Sequence, residues 1–367
     1  MSPRQQTLRA TMDWSWELLG EQEQALLRRL SVFAGSWTLL AAEAVSTGDS
    51  NERWTTLDLL DGLATKSLVG LDETGAEARY RLLETVRHYA GERLAAAGES
   101  TAARDRHLIW YLTLAEDVES RLSGPELRLW LGRLETKIDN LRAAMGWARE
   151  QGDGARFLRL TGALWRFWLL RGYFSEGRGW LEAALQMEGA QDMPAVRARA
   201  LAAAGALACE QGDDGRAAVV LEEALELWRT LEDVGGAANS LHNQGIVAYF
   251  QSDHVRAVTL LGEALRLSHD IGDKDLTTEG LEGLAWVAVT RGQPERAARL
   301  GGAAEAQRAG LVVPLEQDKQ AGHAQMVQAI RATLGEEALA RAWAEGWALS
   351  LEEAVALALT EDKERAE

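Results

Sequence analysis

The side chains most suited to binding a ligand lie in the middle of the chain, on the predicted first helices of a repeat of 40 residues. Arg166 and Arg199 carry the planar guanidinium fork that binds a carboxylate or phosphate with two hydrogen bonds. Tyr249 and Trp286 offer aromatic faces on which a flat or sugar-like ligand can stack. The complete set of predicted ligand or partner residues is Arg159, Arg166, Arg199, Asn239, His242, Asn243, Tyr249, Glu282 and Trp286. The alternative interpretation is that these residues only make a solvent-facing wall polar.

Catalytic and metal-binding patterns do not accompany these residues in the sequence. The six histidines form neither an HExxH pair nor a cluster with ligand spacing, and the single Cys209 can form neither an internal disulfide nor a thiolate-rich zinc site. A Gly-x-Ser-x-Gly nucleophile elbow is also missing. We therefore expect a protein that is not an enzyme, with no metal site and no cofactor.

Charge and composition narrow the class of protein further. With 39 Lys and Arg against 56 Asp and Glu, the formal net charge is −17, which repels nucleic acid unless a basic patch is segregated. No run of 18 uncharged apolar residues occurs, so we expect a cytoplasmic protein with no membrane partner. Only five prolines interrupt a chain rich in residues that favour helix, and this composition predicts a mostly all-α fold.

A repeat of 40 residues organises the middle of the chain. The segments 212–217 (GDDGRA), 252–257 (SDHVRA) and 292–297 (GQPERA) share this spacing, as do Leu181, Leu221 and Leu261. Each unit is an apolar-periodic helix, a turn on Gly or Ser, and a second helix. One such hairpin cannot bury both of its apolar faces alone, so the pattern predicts about four hairpins stacked into a superhelix.

The N-terminal part has a different pattern. Helices are predicted at 7–19, 21–34, 39–45 and from about 55, followed by alternating runs at 67–71 and 79–82 around a turn at 72–75, which indicate a β-hairpin. Helices followed by a hairpin are the winged-helix order, and helix is predicted to resume at 87. We thus predict a winged-helix-like domain at 1–98, a helical linker at 99–152, repeats at 153–310 and C-terminal capping helices at 311–367.

These motifs resemble two known families. The second repeat resembles a tetratricopeptide repeat at Leu201, Ala204, Gly205, Ala208, Gly212, Ala217, Leu221 and Ala224, although Gly301 of the fourth repeat stands where a large apolar residue is expected. Over most of its length the chain is similar to bacterial signal-transduction (STAND) ATPases, many of them LuxR-type transcriptional regulators. The matching segments are 4–10 (RQQTLRA), 13–19 (DWSWELL), 29–35 (RLSVFAG), 81–87 (RLLETVR), 139–144 (DNLRAA) and 342–346 (AWAEG).

The resemblance implies a regulatory sensor: a winged-helix spacer and a repeat superhelix that binds an inducer or a partner protein in its groove and acts on an ATPase module in cis or in trans. The phosphate-binding loop Gly-x4-Gly-Lys-Ser/Thr of such ATPases does not occur in the sequence, since Lys66 and Ser67 follow Thr65 rather than Gly. The C-terminal helix-turn-helix of the related regulators is not expected either, because the chain ends in a charged tail, 362–367.

Two alternative functions stay open. The repeats could form a constitutive scaffold for protein partners, with no small ligand and no switch. The winged helix could also bind DNA, but its predicted recognition helix at 56–68 places Asp58 and Asp61 against a single Lys66, and phosphate contacts call for basic residues. We therefore give direct binding of nucleic acid less weight.

Overall fold

A computed structural model describes residues 3–46, 53–72, 77–123, 126–309 and 317–360. The chain forms two compact units, one of residues 1–122 and 126–163 and the other of residues 123–125 and 164–367. The predicted fold class is confirmed: the protein is mostly helical, with one small β-hairpin, a winged helix at its N-terminus and a helical repeat array after it.

The first unit begins with the winged helix. Its elements are α1 (Pro3–Glu17), α2 (Glu21–Leu30), α3 (Leu39–Ser46), α4 (Arg53–Thr65), β1 (Gly70–Asp72), β2 (Arg79–Arg81) and α5 (Glu84–Ala96). The two strands pair antiparallel, with Leu71 opposite Tyr80. Trp37 adds a bridge on the other side of Tyr80, through backbone hydrogen bonds of 2.9 and 2.8 Å. The wing therefore has a third short segment contributed by the loop before α3.

Several boundaries differ from the predicted ones, and the reason is visible for those at 34 and 67. Helix α2 ends at Leu30 rather than 34, because the next three amides turn back to carbonyls three residues earlier and direct Phe33 into the core, stacked 4.9 Å from Trp37. The first strand begins at Gly70 rather than 67, because Ser67 has a left-handed φ of 57°. Most of the predicted turn at 72–75 lies outside the described residues.

The rest of the first unit is helical. It comprises α6 (Ser100–Glu119), a 3-10 turn (Ser120–Ser123), α7 (Leu127–Glu135), α8 (Ile138–Glu150) and the beginning of α9 (Gly154–Arg171). Asn140 of α8 is fully buried; it accepts from the Ala34 amide at 2.9 Å and donates to the Ser36 carbonyl at 3.0 Å. Its Oδ1 also lies 3.3 Å from Nε2 of the buried His107. One amide side chain thus joins the winged helix to α6 and α8.

The helices of the repeat array begin every 20 residues, from 154 to 294. After α9 these are α10 (Phe174–Leu185), α11 (Pro194–Glu210), α12 (Asp214–Thr230), α13 (Val234–Phe250), α14 (His254–Asp270), α15 (Lys274–Thr290) and α16 (Pro294–Ala309). Carboxylates at the same interval cap many of them: Asp213, Asp233, Asp253 and Asp273 each accept an amide of the following first turn. The repeat length is therefore fixed by the caps as well as by the apolar pattern.

Three helices follow the array: α17 (Gln317–Leu334), α18 (Glu336–Trp347) and α19 (Leu351–Leu359). Gly301 departs from the repeat pattern because a Cβ there would lie 2.8 Å from the ring of Trp343. Helices α16 and α18 also cross at Gly302 and Gly346, where added Cβ atoms would lie 2.2 and 2.0 Å from backbone oxygens of the opposite helix. Trp343 consequently packs against the last repeat, whereas Trp347 stays about half exposed.

Candidate functional site

The C-terminal part of the first helix of the second, third and fourth repeats alternates buried residues with a half-exposed face. In α11 the half-exposed positions of this face are Ala202, Ala206 and Cys209; in α13 they include Ile246 and Tyr249, and in α15 Trp286 and Val289. These positions recur at the 40-residue spacing because helices that begin at equal intervals present equivalent residues on the same face. The half-exposed faces of α11, α13 and α15 are called the wall below.

Tyr249 and Trp286 are brought together on this wall. Their ring centroids are 6.3 Å apart with planes inclined at 58°, and Tyr249 also lies 5.5 Å from Phe250 and 5.8 Å from His254. Burial raises the pKa of the Tyr249 phenol above its ordinary value. The two rings meet as a corner rather than as parallel plates, so they offer two inclined aromatic faces to a bound group.

Helix α17 passes close to this corner. A Cβ added to Gly322 would lie 3.9 Å from Cζ2 of Trp286. Met326 and Ile330 of the same helix are buried in the core against which Trp286 and Tyr249 pack. The fourth-repeat end of the wall is therefore closed on one side by the C-terminal helices.

The polar members of α13 lie on the same helix as Tyr249. Nδ2 of Asn243 donates to Oδ1 of Asn239 at 3.1 Å, one helical turn away. Asn239 is exposed, Asn243 is half-buried and His242 is buried. The two amide groups are therefore accessible at the third repeat, whereas the imidazole of His242 lies inside and not on the solvent-facing wall for which the sequence predicts it.

The charged residues of the predicted set already interact with other residues of the chain. Glu282 forms an ion pair with Arg308 of α16, and both side chains are mostly buried. Arg166 is half-buried and Arg199 is exposed, and each has an interaction partner within the chain. A charged ligand at the fourth repeat would therefore have to compete with the Glu282 to Arg308 contact.

Arg159 belongs to the first unit and not to the unit that carries the wall. It forms two hydrogen bonds, of 2.8 and 2.9 Å, with the carboxylate of Glu116 on α6. These bonds raise the pKa of the Arg159 guanidinium above its ordinary value. The bidentate binding predicted for arginine thus occurs at this position within the protein itself.

Two further features mark the wall and its edge, and one of them, the exposed pair of Phe250 and Val255, was missed by the predicted site. Cys209 is half-buried on the wall, and burial, with Asp214 and Glu210 nearby, raises the pKa of its thiol to about 12. Phe250 and Val255 are 62% and 75% exposed at the turn of the third repeat. A comparison between repeats would have found them, because the equivalent positions hold Glu210 and Gly215 in the second repeat.

The surface of the winged helix is acidic where a DNA contact would be expected. Asp58 and Asp61 are exposed on α4, which ends at Thr65 and not at 68 as predicted. Lys66 therefore lies beyond the helix, where its ammonium group pairs with Glu23. Among residues 56–66, Lys66 is the basic residue, and this ion pair engages the charge that a phosphate contact would use.

The described residues offer neither a metal-binding cluster nor a membrane-spanning helix. They contain no group of three His, Cys, Asp or Glu side chains placed to hold a metal ion. Within the same part of the chain, no helix combines the length and the apolar character that crossing a bilayer requires.

Comparison with known proteins identifies the N-terminal domain. Residues 19–95 match the winged helix-turn-helix domain family. Rv0890c of Mycobacterium tuberculosis (strain ATCC 25618 / H37Rv), named as a candidate HTH-type transcriptional regulator, is 44% identical over 202 residues, which are 54% of this chain and 23% of that protein. Rv0894 of the same strain, named only as an uncharacterized protein, is 43% identical over 104 residues, 28% of this chain and 26% of that protein.

The matched stretches thus span about a quarter of the length of these relatives. Among solved structures, the chain is similar to a STAND protein with a tetratricopeptide repeat sensor, PH0952 from Pyrococcus horikoshii. The TM-score is 0.47 and the identity 13%, over 95% of this chain and 52% of that chain.

Proposed function

We propose that this chain is a non-catalytic regulatory sensor module whose repeat array binds an inducer or a partner protein along the wall. The observation that carries the proposal is the joining of a winged helix to a helical repeat array in one chain, 44% identical over 202 residues to a candidate HTH-type transcriptional regulator. Binding would act by differential affinity, because a ligand that prefers one packing of the array shifts the equilibrium toward it.

The finer parts of the proposal concern the surrounding protein. We propose that the chain corresponds to the sensor region of a STAND-class, LuxR-type regulator and that an ATPase module, in cis or in trans, receives the signal. The proposed division into 1–98, 99–152, 153–310 and 311–367 assigns the ligand to the third segment. Tyr249 and Trp286 with Asn239, His242 and Asn243 form the proposed contact set.

The single cysteine makes the proposal testable without a known ligand. Cys209 lies on the wall and is the only cysteine of the sequence, so the rate of its alkylation by N-ethylmaleimide reports on access to the wall. Thermal unfolding with glucose, adenosine, glutamate or an N-acetylated tripeptide amide gives a second readout. A ligand at a hundred times its dissociation constant stabilises the fold by about 2.7 kcal/mol.

A compound from this panel that raises the unfolding temperature should also slow the alkylation of Cys209. Trp286→Ala should abolish both effects, whereas the control Trp14→Ala, an exposed tryptophan of α1, should leave them intact. A stabilising compound whose effect survives Trp286→Ala, with alkylation unchanged, would contradict binding at the wall.

A constitutive protein scaffold is the second candidate function, and the exposure of Phe250 and Val255 favours it. This function predicts no stabilisation by any small compound. It also predicts that Phe250→Ser and Val255→Ser reduce the amount of a partner protein recovered with the chain, while Val219→Ser, at an exposed valine of α12, does not.

A further inference from the structure

Helix α13 is built from residues that favour a helix less than those of its neighbours. Its 17 residues (VGGAANSLHNQGIVAYF) include no Asp, Glu, Lys or Arg, so ion pairs between successive turns of this helix are absent. They include three glycines, two asparagines and a serine, all poor helix formers. The equivalent helix of the second repeat, α11 (PAVRARALAAAGALACE), is rich in alanine.

The turns at both ends of α13 are strained. Glu232, before the helix, has a φ of 56°, and Ser252, after it, has a φ of 63°. The equivalent turns of neighbouring repeats place Gly272, Gly212 and Gly292 in the same left-handed conformation. A side chain with a Cβ is disfavoured in this region, whereas glycine is not.

Two buried polar side chains of α13 each carry an atom without a hydrogen-bond partner among the described residues. Ser240 is 0% and Gln244 is 4% exposed, and neither Oγ of Ser240 nor Nε2 of Gln244 has a partner among the described residues. The second repeat places Ala200 and Ala204 at these positions. An unpaired buried donor costs stability that an alanine at the same place does not.

Helix propensity, turn strain and unpaired polar groups thus weaken the same helix, which lies in the interior of the array. Packing of Leu241, Val247 and Ala248 in the core holds it in place. We infer that α13 is the conformational switch of the array: it opens locally while its neighbours stay folded, and a ligand on the wall holds it closed. The statement that a ligand holds α13 closed rests on the proposed function, because Asn239, His242, Asn243 and Tyr249 all belong to α13.

The local opening of α13 can be tested without a ligand by amide hydrogen exchange of the whole chain, measured by mass spectrometry of its peptides. Peptides of α13 should exchange at least tenfold faster than those of α11 and α15. End repeats ordinarily open first in such arrays, so this order is unusual. Ser252→Gly should slow exchange in α13 about fivefold by removing the strained turn. Gln244→Leu introduces leucine, the residue that the fourth repeat has at the equivalent position 284, and should slow exchange as well.

The matched control introduces the same strain elsewhere. Gly212→Ser should speed exchange in α11 about fivefold and leave α13 unchanged. Equal protection of α11, α13 and α15, or no slowing in both Ser252→Gly and Gln244→Leu, would overturn the inference.

The effect of a ligand on α13 is tested by repeating the exchange measurement with the compounds of the unfolding assay. A compound that slows the alkylation of Cys209 should slow exchange in α13 more than in α11. Failure of every compound to slow either process, with α13 still the fastest repeat helix, would refute the wall as a small-molecule site but leave the local opening established. Slower alkylation with α13 exchange unchanged would refute the coupling.

Discussion

Protonation of one buried imidazole should make the first unit acid-sensitive. His107 on α6 is 3% exposed and lies 5.2 Å from the ring of Phe33 and 4.7 Å from that of Tyr111. Burial lowers its pKa from 6.5 to about 4, although the contact with Asn140 works in the opposite direction. Between these two values the unfolded chain binds a proton that the folded chain does not.

The direction and size of the effect follow from this difference. Stability from His107 is fully present above pH 6.5 and is lost as the pH falls toward 4, because acid favours the unfolded state that takes up the proton. The difference of about 2.5 pH units corresponds to about 3 kcal/mol in all, of which about 2 kcal/mol is lost between pH 7 and pH 5.

Urea unfolding followed by tryptophan fluorescence at pH 7 and pH 5 measures this loss. His107→Gln keeps a neutral hydrogen-bonding group near Asn140 but cannot take up the proton, so its free energy of unfolding should fall by about 2 kcal/mol less than that of the wild type. His88→Gln, at an exposed histidine of α5, should keep the wild-type dependence. Equal pH dependence of the wild type and His107→Gln would refute the argument.

Three further predictions concern packing and DNA. Gly346→Ala should lower the free energy of unfolding by about 3 kcal/mol, because the added Cβ would lie 2.0 Å from a backbone oxygen. Gly322→Ala should change it little, because the nearest atom to its Cβ would be 3.9 Å away. Urea unfolding of both variants tests this difference. Asn140→Ala should lower the free energy of unfolding by about 2 kcal/mol, because it leaves the Ala34 amide unpaired. An unchanged midpoint of urea unfolding would contradict this. Fluorescence anisotropy should show no salt-sensitive binding of duplex DNA by the wild type, while Asp58→Lys with Asp61→Lys should create it; binding by the wild type would restore the DNA hypothesis.

The architecture of the array was accessible from the sequence because its signals are local. The turn glycines, the apolar spacing and the aspartates at 20-residue intervals all act within one hairpin. The error at 34 arises from a tertiary contact and the error at 67 from a disfavoured backbone conformation. Phe33 leaves the helix to stack on Trp37, and Ser67 adopts a conformation that its residue type does not favour. The glycine at position 301 is likewise explained by a tertiary contact, because the ring of Trp343, on another helix, leaves no room for a side chain there.

The candidate site was only partly accessible for a similar reason. Spacing alone was enough to predict that Tyr249 and Trp286 share a face, because both follow from the repeat register. The ion pair of Arg159 was not predictable, since its partner Glu116 lies on α6, outside the repeat pattern. The partner of Glu282, Arg308, lies in the same repeat hairpin, but the pattern describes how the two helices pack and not which of their charged side chains pair. Charged residues on a predicted wall are therefore less informative than aromatic ones, because an ion pair can satisfy them within the chain.

Repeats also supply an internal comparison that a single sequence otherwise lacks. Ser252 and Gln244 depart from Gly212 and Ala204, and both departures cost stability according to the geometry of their own positions. Departures scattered at random over four repeats would seldom fall on one helix and its two turns. Natural sequences tolerate such local conflicts mainly where function requires them. Helix α13 combines these conflicts with four of the five uncharged residues of the proposed contact set, and this is therefore the strongest reason to begin the search for a ligand at the third repeat.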